Sequence, residues 1–200
     1  MRIAIIGGTG SQGLNIGKRL AIAGEDIIIG SRKEEKALTK VEESLELLKD
    51  YDDIKMEGMS NEDAAQAGDL IILTVPLETA IGGSPARFVD LMEGSAAERT
   101  AKILKKTDVR VVAAFNNVSN SLLSNIPEPI DCDCLLAGND NEAKQVVKEI
   151  IEKIPGIDCI DCGKLEKARM IEKITPLLIG LNIKYKSQFG GIRITGIPKK

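Results

Sequence analysis

The sequence predicts an α/β fold built on a doubly wound parallel sheet, with a small, mainly helical C-terminal region. Three observations carry this prediction. Short apolar runs alternate with amphipathic stretches along most of the 200 residues. The first run, Ile3-Ala4-Ile5-Ile6, passes straight into a glycine-rich turn and then a helical stretch from Leu14 to Ala23. The last strong helical pattern, about 165–186, is followed only by a short apolar extension, Gly190-Gly191-Ile192-Arg193-Ile194.

Taken in order, Ile27-Ile28-Ile29-Gly30 is the second strand, and residues 33–50 are helical with Ala37, Val41, Leu45 and Leu48 on one face. A short strand near 54–58 follows. Ser60 and Asp63 form a capping-box start for a short helix that stops at Gly68. Asp69–Val75 is a fourth strand, ended by Pro76. Residues 77–94 are spotted with Gly, Ser and Pro. Beyond them come a helix over about 95–106 and a strand, Val109–Ala114, that runs into Phe115-Asn116-Asn117-Val118-Ser119. Strand-like runs near 134–137 and 157–161 flank an amphipathic helix at 140–153. This pattern suggests a Rossmann-like nucleotide-binding domain over 1–163 and a helical region over 164–200.

The turn after the first strand is Gly7-Gly8-Thr9-Gly10-Ser11-Gln12-Gly13. Its spacing reads as Gly8-x-Gly10-x-x-Gly13 or as Gly7-x-x-Gly10-x-x-Gly13. Glycine permits the sharp strand-to-helix turn and lets backbone N–H groups approach a pyrophosphate at the helix N-terminus. A glycine hexamer alone is weak; one that follows a buried strand and opens a helix has the context the motif requires. Gly13, Gly17 and Ala21 lie at helical spacing and would give a flat helix face against the sheet.

The end of the second strand selects the cofactor. A site for NAD usually places Asp or Glu there to accept from the ribose 2′-OH. This chain has Gly30-Ser31-Arg32. A guanidinium can fork onto a 2′-phosphate, which a carboxylate would repel. Lys36, four residues on, adds a second positive charge on the same helix face. Ser31-x-x-Glu34 also reads as a capping box, which is compatible with a phosphate at the same helix start. The reading is NADP(H). Val75, at the strand end where a doubly wound sheet diverges, is a further candidate cofactor contact or else strand-end core.

Composition excludes several classes. A net charge of −3 carries no nucleic-acid footprint, and no apolar run reaches a membrane span. Met1-Arg2 enters a strand directly, so a cytoplasmic protein without a signal peptide is expected. There is no histidine, which removes Ser-His hydrolysis and His-based proton shuttling. The four cysteines fall as Cys132-x-Cys134 and Cys159-x-x-Cys162. Paired short spacings can hold zinc, but each pair lies in or beside a strand among Asp and apolar residues, which favours reduced thiols and no metal.

The combined motifs resemble one family. Gly7–Gly13, Gly30-Ser31-Arg32 with Lys36, Asn61–Ala65, Leu73–Pro76, Gly82–Ala86, Ala113–Val118 and Glu172–Leu178 look like the NADP-dependent reductase of the 8-hydroxy-5-deazaflavin coenzyme F420. The resemblance covers nearly the whole chain. It implies reversible hydride transfer between reduced coenzyme F420 and NADP, in a homodimer without metal. Carried over by motif, Thr9, Gly10, Ser11 and Gln12 hold the pyrophosphate, and Ser31, Arg32 and Lys36 hold the 2′-phosphate. Phe115, Asn116 and Asn117 border the nicotinamide and deazaflavin. No residue is named as a nucleophile or proton donor, since hydride transfer between two bound rings depends on proximity and alignment.

The chain departs from the family pattern at one place. The family carries another helix and strand between the Val-Pro of the fourth strand and the Gly-Gly-Ser-Pro segment. Here Pro76 and Gly82 are six positions apart, whereas a βαβ crossover needs at least about 10–12 residues. Either the strand at 109–114 moves in beside the fourth strand, or a stretch is missing. Two other readings stay open: an NADP-dependent reductase of another small substrate, such as an imine or ferric chelate, and an NADP-sensing protein without turnover. The apolar residues of the last helix, Ile171, Ile174, Leu177, Leu178, Ile179, Leu181 and Ile183, occupy more than one face and point to a dimer contact.

Overall fold

The structure, a computed structural model, describes residues 1–74 and 91–198. Contacts divide the chain into two compact units, Met1–Pro76 and Leu77–Lys200. The 163/164 boundary drawn from the sequence falls inside the second unit.

The first unit is a four-stranded parallel sheet in the order β3-β2-β1-β4, with β1 Arg2–Ile6, β2 Asp26–Ser31, β3 Met56–Ser60 and β4 Leu70–Leu73. Between them run α1 Ser11–Ile22, α2 Glu34–Leu47 and α3 Asn61–Ala67. Both faces of the sheet are covered, which is why β1 and β2 read as unbroken apolar runs. Ala4 and Ile28, paired in register, pack with Ala64 of α3 on one face. Ile5, Ile27 and Ile29 face α1, where a Cβ at Gly17 would stand 3.0 Å from Ile29 and 3.1 Å from Ile5. The flat helix face expected from Gly13, Gly17 and Ala21 is thus buried. Of the α2 stripe, Ala37, Val41 and Leu48 are buried while Leu45 stays exposed.

Two helix starts differ in their capping. Ser60 caps α3 as expected, accepting the Asp63 N–H at 3.1 Å. The Ser31-x-x-Glu34 capping box does not form. The N-cap of α2 is Lys33, and Ser31 Oγ accepts the Lys33 N–H at 3.2 Å, closing the turn before the helix. Ser31 is too far upstream because the strand extends through it, paired with Ser60 of β3.

The second unit holds a three-stranded sheet in the order β5-β6-β7: Val112–Ala113, Cys132–Gly138 and Ile157–Asp161. β6 and β7 are parallel, and β5 runs antiparallel to β6. Helices α4 Ala96–Ile103, α5 Asn120–Ser124, α6 Asn141–Glu152 and α7 Ala168–Tyr185 surround it, α7 being preceded by a 3₁₀ turn, Leu165–Lys167. All seven residues of β6 are buried. Leu135, Ala137 and Ile171 form one core cluster, and Ala113, Leu165 and Ala168 another.

The strand expected over 109–114 is cut to two residues. Its register, Val112 to Gly138 and Ala113 to Ala137, runs off the end of β6 on one side. On the other it meets Phe115, whose φ of 64° ends any strand. Among the described residues β4 pairs only with β1, and β5 pairs only with β6.

Candidate nucleotide and ring-facing sites

The glycine loop is held by backbone and by one side chain. Gly7, at φ 74°, donates its N–H to Asn61 Oδ1 at 3.2 Å. The Gly8 N–H is shared between Ile5 O at 3.1 Å and Gly30 O at 3.0 Å. A Cβ at Gly8 would meet Ile5 O at 2.6 Å; one at Gly13 would meet Gly8 Cα at 2.9 Å and collide with Thr74 Oγ1. These two glycines allow backbone against backbone. Gly10 differs: a Cβ there would find only Gly7 O, at 3.6 Å, so local packing does not require glycine. Gly10 is the N-cap of α1, without a side-chain cap and with no acidic residue in the first turn. Gly10 and Ser11 are exposed, Thr9 and Gln12 half-buried. The positive end of α1 is therefore presented beside an open glycine, which fits a phosphate group.

Ser31 is buried at the end of β2, and Arg32 and Lys36 are exposed just beyond it. Among the described residues neither cation is in a salt bridge, and Glu34 and Glu35, between them in sequence, open α2. The side chain of Asn61 and the hydroxyl of Thr74, which donates to Ile6 O at 3.1 Å, complete the wall of the loop. Residue-by-residue reading missed both. Asn61 looked like a helix opener, and only its position within a resembling motif hinted at more. Val75 lies outside the described residues.

Phe115, Asn116 and Asn117 lie on the second unit and do different things. Phe115 is buried in the left-handed region, a costly conformation for a bulky side chain, of a kind that clusters at functional sites. Its N–H faces Cys134 Sγ at 3.3 Å. The Asn116 carbonyl accepts from Thr175 Oγ1 of α7 at 2.6 Å, leaving the half-buried Asn116 side chain at the surface of the segment. Asn117 is 1% exposed, with its amide spent on β6: Nδ2 donates to Asp133 O at 2.6 Å and Oδ1 accepts the Leu135 N–H at 3.0 Å. That amide works as a strut for the neighbouring residues.

The cysteines are free thiols. Burial pushes Cys132 up to about 11 and raises Cys162. Hydrogen bonding with Cys159, then burial, raises Cys134, its partner across the β6–β7 ladder. Raised thiols are poor nucleophiles and poor ligands. Among the described residues no group of three or more Cys, Asp or Glu is placed to hold a metal, and no helix is long and apolar enough to cross a membrane.

Residues 2–95 match the family model described as NADP oxidoreductase, coenzyme F420-dependent. The F420-dependent NADP reductase of Methanothermobacter thermautotrophicus is 47% identical over 100% of this chain and 97% of its own. That of Methanocaldococcus jannaschii is 45% identical over 98% and 99%. The first alignment runs over 226 positions against 200 residues here, so about 26 positions of that relative have no counterpart in this chain. In fold, the chain is similar to the crystal structure of a protein from Arthrobacter sp. FB24, described as an F420-dependent NADP-reductase, with a TM-score of 0.79 at 20% identity over 98% of this chain and 100% of that one. A reductive aminase from Aspergillus terreus gives a TM-score of 0.63 at 16% identity over 92% of this chain and 62% of that one. The end-to-end similarity to the archaeal relatives settles the membership: the chain belongs to the F420-dependent NADP reductase family.

Proposed function

We propose that this chain is an oxidoreductase that moves a hydride reversibly between reduced coenzyme F420 and NADP; its relatives are named F420-dependent NADP reductases. The observation that carries the reading is similarity over the whole chain at 45–47% identity. The site residues agree with the NADP half. Gly8 and Gly13 form the tight loop. Thr9, Gly10, Ser11 and Gln12 present the α1 N-terminus to the pyrophosphate. Ser31, Arg32 and Lys36 receive the 2′-phosphate.

On the other side, Phe115 and Asn116 border the nicotinamide and deazaflavin, with Asn117 bracing them. The bound rings supply hydride donor and acceptor; the chain's task is to hold them aligned and exclude water. Mixing the protein with NADPH and oxidised coenzyme F420 and following the fall of deazaflavin absorbance tests the reaction. No fall, with NADPH still bound, would favour a non-catalytic NADP-sensing role, a reading supported by the roughly 26 unmatched positions.

The working form is a homodimer in the cytoplasm, with residues 164–200 as the contact region. Ala168, Ile171 and Leu178 of α7 face the core of their own unit, while Met170, Leu177, Leu181 and Ile183 remain exposed. A second subunit would cover that face. Light scattering at micromolar concentration should give about twice the 21.5 kDa chain mass; a monomer would contradict it.

A further inference from the structure

Asp133 is a carboxylate with 0% exposure near the start of the buried strand β6. Such a group is costly unless every lone pair and its charge are answered. Here they are answered by the C-terminal tail. Arg193 Nη1 donates to Asp133 Oδ1 at 2.8 Å, and the Ile194 N–H donates to Oδ2 at 2.6 Å. The Asp133 backbone joins in: its N–H donates to Ile192 O at 2.7 Å, and its carbonyl accepts from Asn117 Nδ2 at 2.6 Å. Arg193 Nη1 also reaches Asp158 at 3.2 Å, while Nε donates to Asp131 at 2.8 Å and Nη2 to the Gly156 carbonyl at 2.8 Å. Ile194 packs beside Leu135, Ala137 and Ile171. Farther back along the tail, Ser119 Oγ donates to the Gln188 carbonyl at 2.7 Å, so the tail is also tied to the residues just after Asn117.

We propose that Asp133 and Arg193 are positioning residues for the ring-facing segment Phe115–Asn117, with the C-terminal tail serving as the latch that sets its place. The chain of contacts is short. Arg193 fixes Asp133, Asp133 and Leu135 hold both ends of the Asn117 amide, and Asn117 holds the left-handed Phe115 and Asn116 beside it. A disfavoured backbone conformation persists only where its surroundings over-determine it; Asn117 on one side and the Thr175–Asn116 bond on the other supply that constraint. Neither Asp133 nor Arg193 needs to touch a ring. The inference rests on the reading that Phe115–Asn117 faces the two rings.

The test compares wild type, Arg193→Lys, and the double variant Asp133→Asn with Arg193→Gln. Lysine keeps the charge and loses the guanidinium fork; the double variant removes both charges and leaves no buried carboxylate unpaired, so it remains informative if a single change prevents folding. Three quantities are read: NADPH affinity, KM and kcat for coenzyme F420, and amide hydrogen exchange of residues 115–118. The expected result is NADPH affinity within about twofold of wild type, because the residues proposed to hold its pyrophosphate and 2′-phosphate lie on the first unit. KM for coenzyme F420 should rise, or kcat fall, by about tenfold or more, and exchange at 115–118 should be about tenfold faster in both variants. Unchanged exchange in both variants overturns the proposal, whatever the activity. Faster exchange with unchanged KM and kcat overturns the positioning role and leaves a purely structural latch. Absence of turnover in wild type would count against the proposed reaction alone, since the exchange measurement still decides whether the latch holds the segment.

Discussion

The two units solve the same problem, holding a backbone segment in an uncommon shape, by opposite means. In the first unit the turn is made of residues that take its shape without strain. Gly7, Gly8 and Gly13 adopt or permit the turn themselves, and the bonds that fix it come mostly from adjacent strands in parallel register. In the second unit a phenylalanine takes the left-handed conformation, and bonds from other elements enforce it: Thr175, Cys134 and, through Asn117, Leu135 and Asp133. A loop made of glycine tolerates loss of its surroundings. A loop made of Phe and Asn depends on every brace. The nucleotide half of the chain should therefore be robust and the ring-facing half fragile.

The strongest test of that contrast uses the shortened middle. The glycine loop, Arg32 and β4 all precede Pro76, so NADPH should bind normally. Alignment of the second ring depends on elements beyond it, and a displacement of about 1 Å can cost on the order of 100-fold in rate. Inserting after Pro76 a helix–strand stretch of the kind expected from the family pattern should raise coenzyme F420 reduction by roughly that factor, with NADPH titrated by fluorescence unchanged. Equal turnover with and without the insert would mean that ring alignment does not depend on that stretch, and the fragility argued here would fail.

Within the robust half, cofactor choice should rest on one exposed cation. Arg32→Ala should weaken NADPH by roughly 1.5–3 kcal/mol, the range for a charged hydrogen bond, while NADH affinity barely changes. Isothermal titration with both cofactors checks it; equal binding of the two by the unmutated chain would sink the assignment.

The glycines then separate folding from binding. At Gly13 an alanine would press on Gly8 Cα at 2.9 Å and on the Thr74 hydroxyl, both part of the sheet-loop framework, so Gly13→Ala should cost about 1–3 kcal/mol of stability. At Gly10 the added methyl meets nothing closer than 3.6 Å, so Gly10→Ala should unfold like wild type yet bind NADPH distinctly less well. Urea melts and NADPH titration of the two variants should give opposite orders. The same order in both assays would show that Gly10 has no ligand-facing task.

This difference also sets what could be read from the sequence. The four parallel strands of the first unit, the tight helix face at Gly17 and the Ser60 cap follow from periodicity and nearest neighbours, and all were legible. The Ser31–Glu34 pair has the right letters for a cap, but pairing of Ser31 with Ser60 carries the strand one residue too far. Asn61 reaches 54 residues back to Gly7, and Arg193 reaches 60 back to Asp133. No local pattern encodes such partners. The strand at 109–114 has good composition, yet the end of β6 and the turn at Phe115 leave only two residues to pair. The motif marks Asn117 as a candidate site residue, but its work as a strut shows only when both ends of its amide are seen bonded.

The smallest effect concerns another long-range brace in the fragile half. Glu172 on α7 is largely buried, and its carboxylate accepts the Ala96 and Ala97 N–H groups, at 2.9 and 3.1 Å, at the start of α4. Burial raises its pKa above the ordinary 4.5, the two N–H groups pull it back, and the nearby Glu98 adds to the rise. The folded chain thus keeps this proton to a higher pH than the unfolded chain does. Its contribution to stability is greatest below the ordinary glutamate range and declines as pH rises through the raised folded value. Glu172→Gln removes that titration and keeps one acceptor for α4. The stability difference, wild type minus Glu172→Gln, measured by urea unfolding from pH 4 upward, should therefore fall with rising pH and then level off. A difference that rises with pH would mean that the two α4 amides outweigh burial, and that Glu172 behaves as an ordinary paired carboxylate.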